Sequence, residues 1–200
     1  NGALVLDGKS SFVSTSPMSR DIQEKTLEAW VQLDGLDQRG GGVISLQTSD
    51  GIIFDAIVYA ERTAKAWMAG SDTFKRTQVH QGPEETKADK EPTHVAITYK
   101  SDGTITRYRG GQPYGEAYKT DIIKYEKGKS EILFGMRHGK ETDGRRMLSG
   151  KILRAQLYDK ALNPGEIAAS AGTESNFVSD EEILALITDD EKTKRDNLSS

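Results

Sequence analysis

The chain has 200 residues, 35% of them hydrophobic, no cysteine and a formal net charge of −4. That length holds one large domain with an appendage and is enough to bury a real core. The acidic balance supplies no positive field for nucleic acid or an anionic membrane, the missing cysteine removes disulfides, thiolate metal sites and cysteine nucleophiles, and no apolar run is long enough to span a bilayer.

Short strands separated by turn signals fill the first 160 residues or so. Ala3, Leu4, Val5 and Leu6 run into an Asp7-Gly8 turn, and Phe12-Val13 follows as a second strand. Residues 26–33 alternate, with Leu27, Ala29 and Val31 on one face and Glu28, Trp30 and Gln32 on the other. A Gly40-Gly41-Gly42 loop leads to a strand over 43–46. Residues 52–59 form the most apolar strand, and 65–69 come back after a polar turn. Residues 81–92 hold Gly82, Pro83 and Pro92 among Glu, Lys and Asp, which predicts a long exposed loop. Beyond it, 94–99 alternates with Val95, Ile97 and Tyr99 on one face. A Ser101-Asp102-Gly103 turn then returns the chain over 104–109 as a hairpin. Strands over 132–136 and 151–158 complete the set. The spacing argues for an all-β, two-sheet antiparallel sandwich and against parallel α/β units.

Helices are expected only at the end. Asn163 caps a short one, with Pro164 at its first position and Glu166 at its third. Residues 169–178 read as a linker. Ser179 and Glu182 open a second helix over 179–200, whose apolar stripe is Ile183, Leu184 and Ile187. The chain starts almost at once in a strand pattern and ends in a polar helical one, so it is expected to be one part of a longer polypeptide.

Catalytic signals are weak. A glycosidase needs two carboxylates flanking the scissile bond, and no strand carries such a pair; Glu141-Thr142-Asp143 comes nearest, in a glycine-broken loop. His80, His94 and His138 show no metal-binding spacing. Gly128-Lys129-Ser130 lacks the upstream glycine of a phosphate loop. Polar and aromatic residues on the strands are the better candidates for binding. Asp55 and Tyr59 share a strand face, Trp67 lies on the next strand, and Arg107 and Arg109 alternate with Tyr108. Arg137 and His138 stand at a strand end. On a concave sheet this set would stack sugars and hold hydroxyls or carboxylates; inside the sandwich, Trp67 and Tyr108 would be core and the arginines would form surface ion pairs. Asp7, Asp34, Asp37 and Asp102 are turn acids that could join carbonyls around a calcium ion or serve only as turn residues.

Several stretches in order resemble the laminin-G-like, concanavalin-A-like jelly rolls over residues 3–168. They are Ala3-Leu4 with Asp7-Gly8, residues 26–31, residues 94–99 with the hairpin ending in Tyr108-Arg109-Gly110-Gly111, Leu133-Phe134-Gly135, and residues 148–162 with Glu166-Ile167. The resemblance implies a jelly roll over 1–168 that binds carbohydrate or a protein partner without catalysis. It also implies a position outside the cytoplasm. Glycan-degrading enzymes of the same fold, and purely architectural spacers, are the alternatives it leaves open. Some relatives hold calcium, but this chain departs from them around Arg109-Gly110 and residues 151–154. A narrower similarity, in residues 67–71, 133–138 and 178–184, is to a laminin-G-like insert of large exported planctomycete proteins that also carry cytochrome-c-like domains. It implies neighbouring domains in a parent chain as partners.

Overall fold

The computed structural model describes residues 2–142 and 145–174. The strands are β1 (Leu4–Asp7), β2 (Val13–Ser14), β3 (Lys25–Leu33), β4 (Gly41–Thr48), β5 (Phe54–Tyr59) and β6 (Trp67–Ser71). After a 3₁₀ turn (Asp72–Phe74) come β7 (Thr93–Tyr99), β8 (Thr104–Arg109), β9 (Gln112–Pro113), β10 (Tyr118–Lys119), β11 (Ser130–Phe134) and β12 (Ser149–Tyr158), then the helix α1 (Pro164–Ala171). One sheet runs β1-β12-β3-β7-β8-β10, with β9 also on β8; the other runs β2-β11-β4-β5-β6. All pairings are antiparallel. This is the two-sheet jelly roll that the strand spacing predicts. The second expected helix, over 179–200, lies outside the described residues.

The core follows from strand parity. Leu27, Ala29, Val31 and Leu33 of β3 face inward beside Val95, Ile97 and Tyr99 of β7. Ile44, Ile57, Tyr59 and Trp67 meet them from the second sheet. Burying an aliphatic side chain of this size contributes about 1.5–3 kcal/mol.

Both outer faces are covered as well. Helix α1 starts in the predicted capping box, in which Asn163 and Glu166 bond reciprocally. It packs Ile167 on Ala96 and Tyr108 of the larger sheet. A polar relay lies under its last turn. The Gly111 N–H donates to His94 Nδ1 at 3.2 Å, so the proton of the neutral ring sits on Nε2, which donates to Glu28 at 2.8 Å. The hydroxyls of Tyr158 and Ser170 donate to the other Glu28 oxygen, each at 3.0 Å. Across the five-stranded sheet lie residues 135–142 and 145–148. Ser45 Oγ donates to the Met136 carbonyl at 3.1 Å, and the Gln47 side-chain amide brackets Gly139, accepting from its N–H at 2.8 Å and donating to its carbonyl at 3.2 Å. A Cβ at Gly42 would collide with the Arg137 backbone, so only glycine lets the segment lie flat on β4.

The segment 81–92 is the exposed loop its composition predicts over most of its length, with two exceptions. Glu85 and Ala88 are fully buried where the loop closes the open side between β6 and β8. The Glu85 carboxylate accepts from Trp67 Nε1 at 2.7 Å, from Arg109 at 2.6 and 2.8 Å, and from the Lys87 and Ala88 N–H groups at 2.8 and 3.1 Å. A second buried cluster ties the sheets together at Lys25 of β3. Its ammonium is 2.9 Å from Asp55 of β5, and Arg76 bonds Asp55 at 2.8 Å and Asp72 at 2.6 Å.

These clusters give two expectations. Asp55→Asn leaves Lys25 without its anion and Arg76 with Asp72 alone, and should cost about 3–5 kcal/mol in urea unfolding. The Glu85 carboxyl, which burial alone would push up, is held down by Arg109, the Lys87 N–H and Trp67, from 4.5 to about 2. The folded value lies below the unfolded one, so the unfolded chain protonates first. The stabilisation is complete above the ordinary glutamate value and is lost as pH falls toward about 2. Glu85→Gln should therefore lower stability at neutral pH and flatten its decline in acid, read from urea midpoints along a pH series.

Candidate functional site

Of the residues singled out from the sequence, Asp55, Tyr59 and Trp67 are inside the sandwich and are corrected to structural roles. All three are fully buried: Asp55 in the Lys25–Arg76 cluster, Tyr59 with its hydroxyl donating to the Leu36 carbonyl at 3.1 Å, and Trp67 on Glu85. Their shared face is real, but it is the inward one. Arg107 and Arg109 also point inward from β8, Arg109 onto Glu85 and Arg107 into the edge of the sandwich. Trp30, on the face of β3 opposite Leu27, Ala29 and Val31, sits on the outer side of its sheet, where Arg154 covers its ring at 4.6 Å.

Arg137 and His138 are brought together, with partners the sequence did not mark. They line a groove of about 640 Å³ on the covered face of the five-stranded sheet. The β4–β5 turn, the segment following β6 and residues 137–139 with Arg146 wall it. At the start of β5, Phe54 points outward and His138 stacks on it, with ring centroids 4.2 Å apart and planes within 10°. The His138 Nδ1–H donates to the Gly51 carbonyl at 3.3 Å, which fixes the ring against the turn. Arg137 pairs with Glu61 at 2.7 Å. The Glu61 side chain is only 5% exposed, and its Oε2 has no donor among the described residues. Burial raises the Glu61 carboxyl above its ordinary value against the pull of Arg137 and Arg62.

The opposite wall is strained. Thr73 and Phe74 both have left-handed backbones, with φ of 46° and 59°, although neither is glycine. Such positions cost of order 1–3 kcal/mol and cluster at functional sites. The result is a large aromatic ring held at the rim, 46% exposed, with Arg62 over it at 5.2 Å. Glu61, Phe74 and Arg137 also line an adjoining hollow of about 500 Å³, so they stand at the junction of the two spaces. No glycine marks the turn at Phe74, so sequence carries no signal for it. Glu61 reads there as one charge among several.

Three of the turn acids already have protein partners. Asp7 already accepts three backbone N–H groups at 2.9 Å, Asp102 pairs with Lys119, and Asp34 accepts from Ser149. Among the described residues no group of three or more acids or histidines is placed to hold a metal ion.

Comparison with known proteins agrees with this architecture. The family model described as the concanavalin A-like lectin/glucanases superfamily matches residues 7–168. No curated protein sequence matches. Domain 4 of an extracellular arabinanase from Geobacillus stearothermophilus, solved with arabinotriose, superposes with a TM-score of 0.64 at 17% identity, covering 84% of this chain and 76% of that one. The heptameric SAP-like pentraxin of Limulus polyphemus gives 0.58 at 14% identity, covering 84% and 80%. The CBM40 module of Ruminococcus gnavus IT-sialidase, bound to α2,3 sialyllactose, gives 0.57 at 12% identity, covering 86% and 100%. At these identities the likeness concerns the fold.

The strain at Thr73 is directly testable. Thr73→Gly releases a β-branched residue from a left-handed backbone and should raise stability by up to about 1 kcal/mol in calorimetry. A fall in melting temperature would mean that the Thr73 side chain is held by contacts that outweigh the strain.

Proposed function

Since the chain belongs to the concanavalin A-like lectin/glucanase superfamily, we propose that it is a carbohydrate-binding module that holds its ligand without cleaving it, through the groove at Glu61, Phe74 and Arg137. The observation that carries this reading is the junction itself. A buried carboxylate oxygen without a donor among the described residues lies beside a guanidinium and near an exposed ring. A pyranose or furanose needs an acceptor for its hydroxyls, a donor for its oxygens and an apolar platform for its C–H face. The fold neighbours lend support, since two of them were solved with oligosaccharides bound. In this reading the module works outside the cytoplasm as part of a larger exported chain.

Turnover is the second reading, because a carboxyl raised by burial in a cleft is the property of a general acid. A glycosidase needs a second carboxylate opposite the first. The acids that share the groove with Glu61 are engaged, Asp72 with Arg76 at 2.6 Å and Asp50 with Thr48 Oγ1 at 2.6 Å and the Ile52 N–H at 3.0 Å. Binding is therefore the better match to the geometry.

An array of neutral and acidic oligosaccharides, probed with the 200-residue chain with and without calcium, tests the proposal. Glycan binding is expected in both conditions. Phe74→Ala and Glu61→Gln should each weaken it by about 1–3 kcal/mol with the fold intact. Release of reducing ends that Glu61→Gln abolishes would establish the enzyme instead. An array without signal would leave a protein partner or a spacer role as the better reading.

A further inference from the structure

A second polar cleft opens beside β8 and shares no lining residue with the Glu61 groove. Parity turns Ile105, Arg107 and Arg109 inward, and the three meet different fates. Ile105 joins the core, and Arg109 forks onto Glu85. Arg107 is 3% exposed and meets no carboxylate among the described residues. Its Nη2 donates to the Glu116 backbone carbonyl at 3.3 Å, while Nε and Nη1 have no acceptor among the described residues. The Tyr118 ring lies 5.7 Å from the guanidinium carbon, and Tyr114 and His80 are also close enough to interact with it.

This pattern is unlike that of the other arginines drawn into the fold. Arg76 has Asp55 and Asp72, Arg109 has Glu85, and Arg137 has Glu61. An arginine does not shed its proton to escape burial. A buried cation without an anion costs several kcal/mol, and removing that cost needs an opposite charge. The cleft offers room for one. It measures about 330 Å³ and is lined by Gln78, Val79, Gln81, Arg107, Glu116 and Ala117. Gly115, at φ 73°, keeps the backbone close over the guanidinium; a Cβ there would stand 3.0 Å from Arg107 Nη2 and 2.8 Å from the Gln81 carbonyl.

We propose that this cleft is a carboxylate-binding site in which Arg107 is the anion-holding residue. The ligand group is a carboxylate, either free or carried on an acidic sugar. A planar guanidinium matches a carboxylate in charge and, along an edge that pairs Nη2 with Nε or with Nη1, in spacing. Gln78 and Gln81 on the rim add neutral polar groups of the kind that hold hydroxyls. Glu116 is the acid of the cleft; it makes no ion pair with Arg107 and opposes an incoming anion.

The test is titration of the 200-residue chain with acetate, glucuronate and glucose, following the arginine Nε–H resonances by NMR. The Arg107 resonance is expected to move and saturate with both carboxylates and to stay fixed with glucose. Glucuronate binding about tenfold or more tighter than acetate assigns the site to acidic sugars; equal affinities assign it to free carboxylates. An Arg107 resonance that neither anion moves, or that glucose moves equally, overturns the proposal without reference to any variant. Arg107→Met is expected to fold, to melt no lower than the parent and to lose the rise in melting temperature that glucuronate gives. Arg107→Lys keeps the charge but not the fork and should bind at least about tenfold more weakly. Glu116→Gln should tighten binding. Glu61→Gln leaves this cleft intact, so failure here and failure at the groove are read separately.

Discussion

A charge taken out of water has to be met inside the protein, and this requirement organises the segment between β6 and β7. Two sheets stacked face to face leave an open side wherever their edges do not coincide. Here β6 and β8 are joined by a single carboxylate. Glu85 bonds Trp67 from one sheet and Arg109 from the other, and its own loop supplies two further N–H groups. At the far end of the segment Arg76 reaches Asp55, which also faces Lys25 across the sandwich. Replacing such a network with apolar residues of equal volume can be neutral, but removing one member is not. The segment is therefore held at both ends by charge as well as by packing. Ala88 adds an ordinary strand-like bond, its carbonyl accepting from the Leu33 N–H at 2.7 Å.

Both clefts derive their walls from that anchoring. Residues 71–75 line the Glu61 groove, and residues 78, 79 and 81 line the Arg107 cleft. The side chain between them is Arg76, which is fixed in the buried cluster. A left-handed Thr73 and Phe74 would relax in a free loop, since the strain exceeds thermal energy. Between the Asp72–Arg76 pair and the end of β6 they have nowhere to relax, so the Phe74 ring stays at the rim. In this way the ion cluster, which touches neither space directly through Asp55, decides the shape of one and the near wall of the other.

Much of the sandwich was legible because alternation is local. Leu27, Ala29 and Val31, then Val95, Ile97 and Tyr99, announce their strands and their shared face, and Asn163 with Glu166 announces the helix. What alternation does not reveal is which face is inside once both are covered. All six residues of β5 are buried, Phe54, Ala56 and Val58 on one face, where His138 stacks on Phe54, and Asp55, Ile57 and Tyr59 on the face toward the other sheet. Polar Asp55 therefore looked like a surface group although its counter-ions come from Lys25 and from Arg76, on other elements. The same long-range pairing hid the burial of Glu85 in a stretch whose composition is that of a solvated loop. At the site, Arg137 and His138 were marked by their position at a strand end. Glu61 and Phe74 depend on a turn whose backbone no glycine reports.

Arg107 and Arg109 show how little local sequence decides in such a fold. They share a strand, a face and a residue type, and two positions separate them. Across the seven-stranded sheet they oppose Ile97 and Val95, so parity directs both guanidinium groups toward the interior. The difference lies in what the covering loop brings to each. Glu85 arrives opposite Arg109 and forms a fork with both of its nitrogens engaged. Opposite Arg107 the loop supplies Gln78, Val79 and Gln81, none of which carries charge. The same physical demand, that a buried cation find an anion, is met internally at one position. At the other it falls to whatever enters the cleft. A structural role and a binding role are thus two outcomes of one constraint, and the acid that separates them lies more than twenty residues away in sequence.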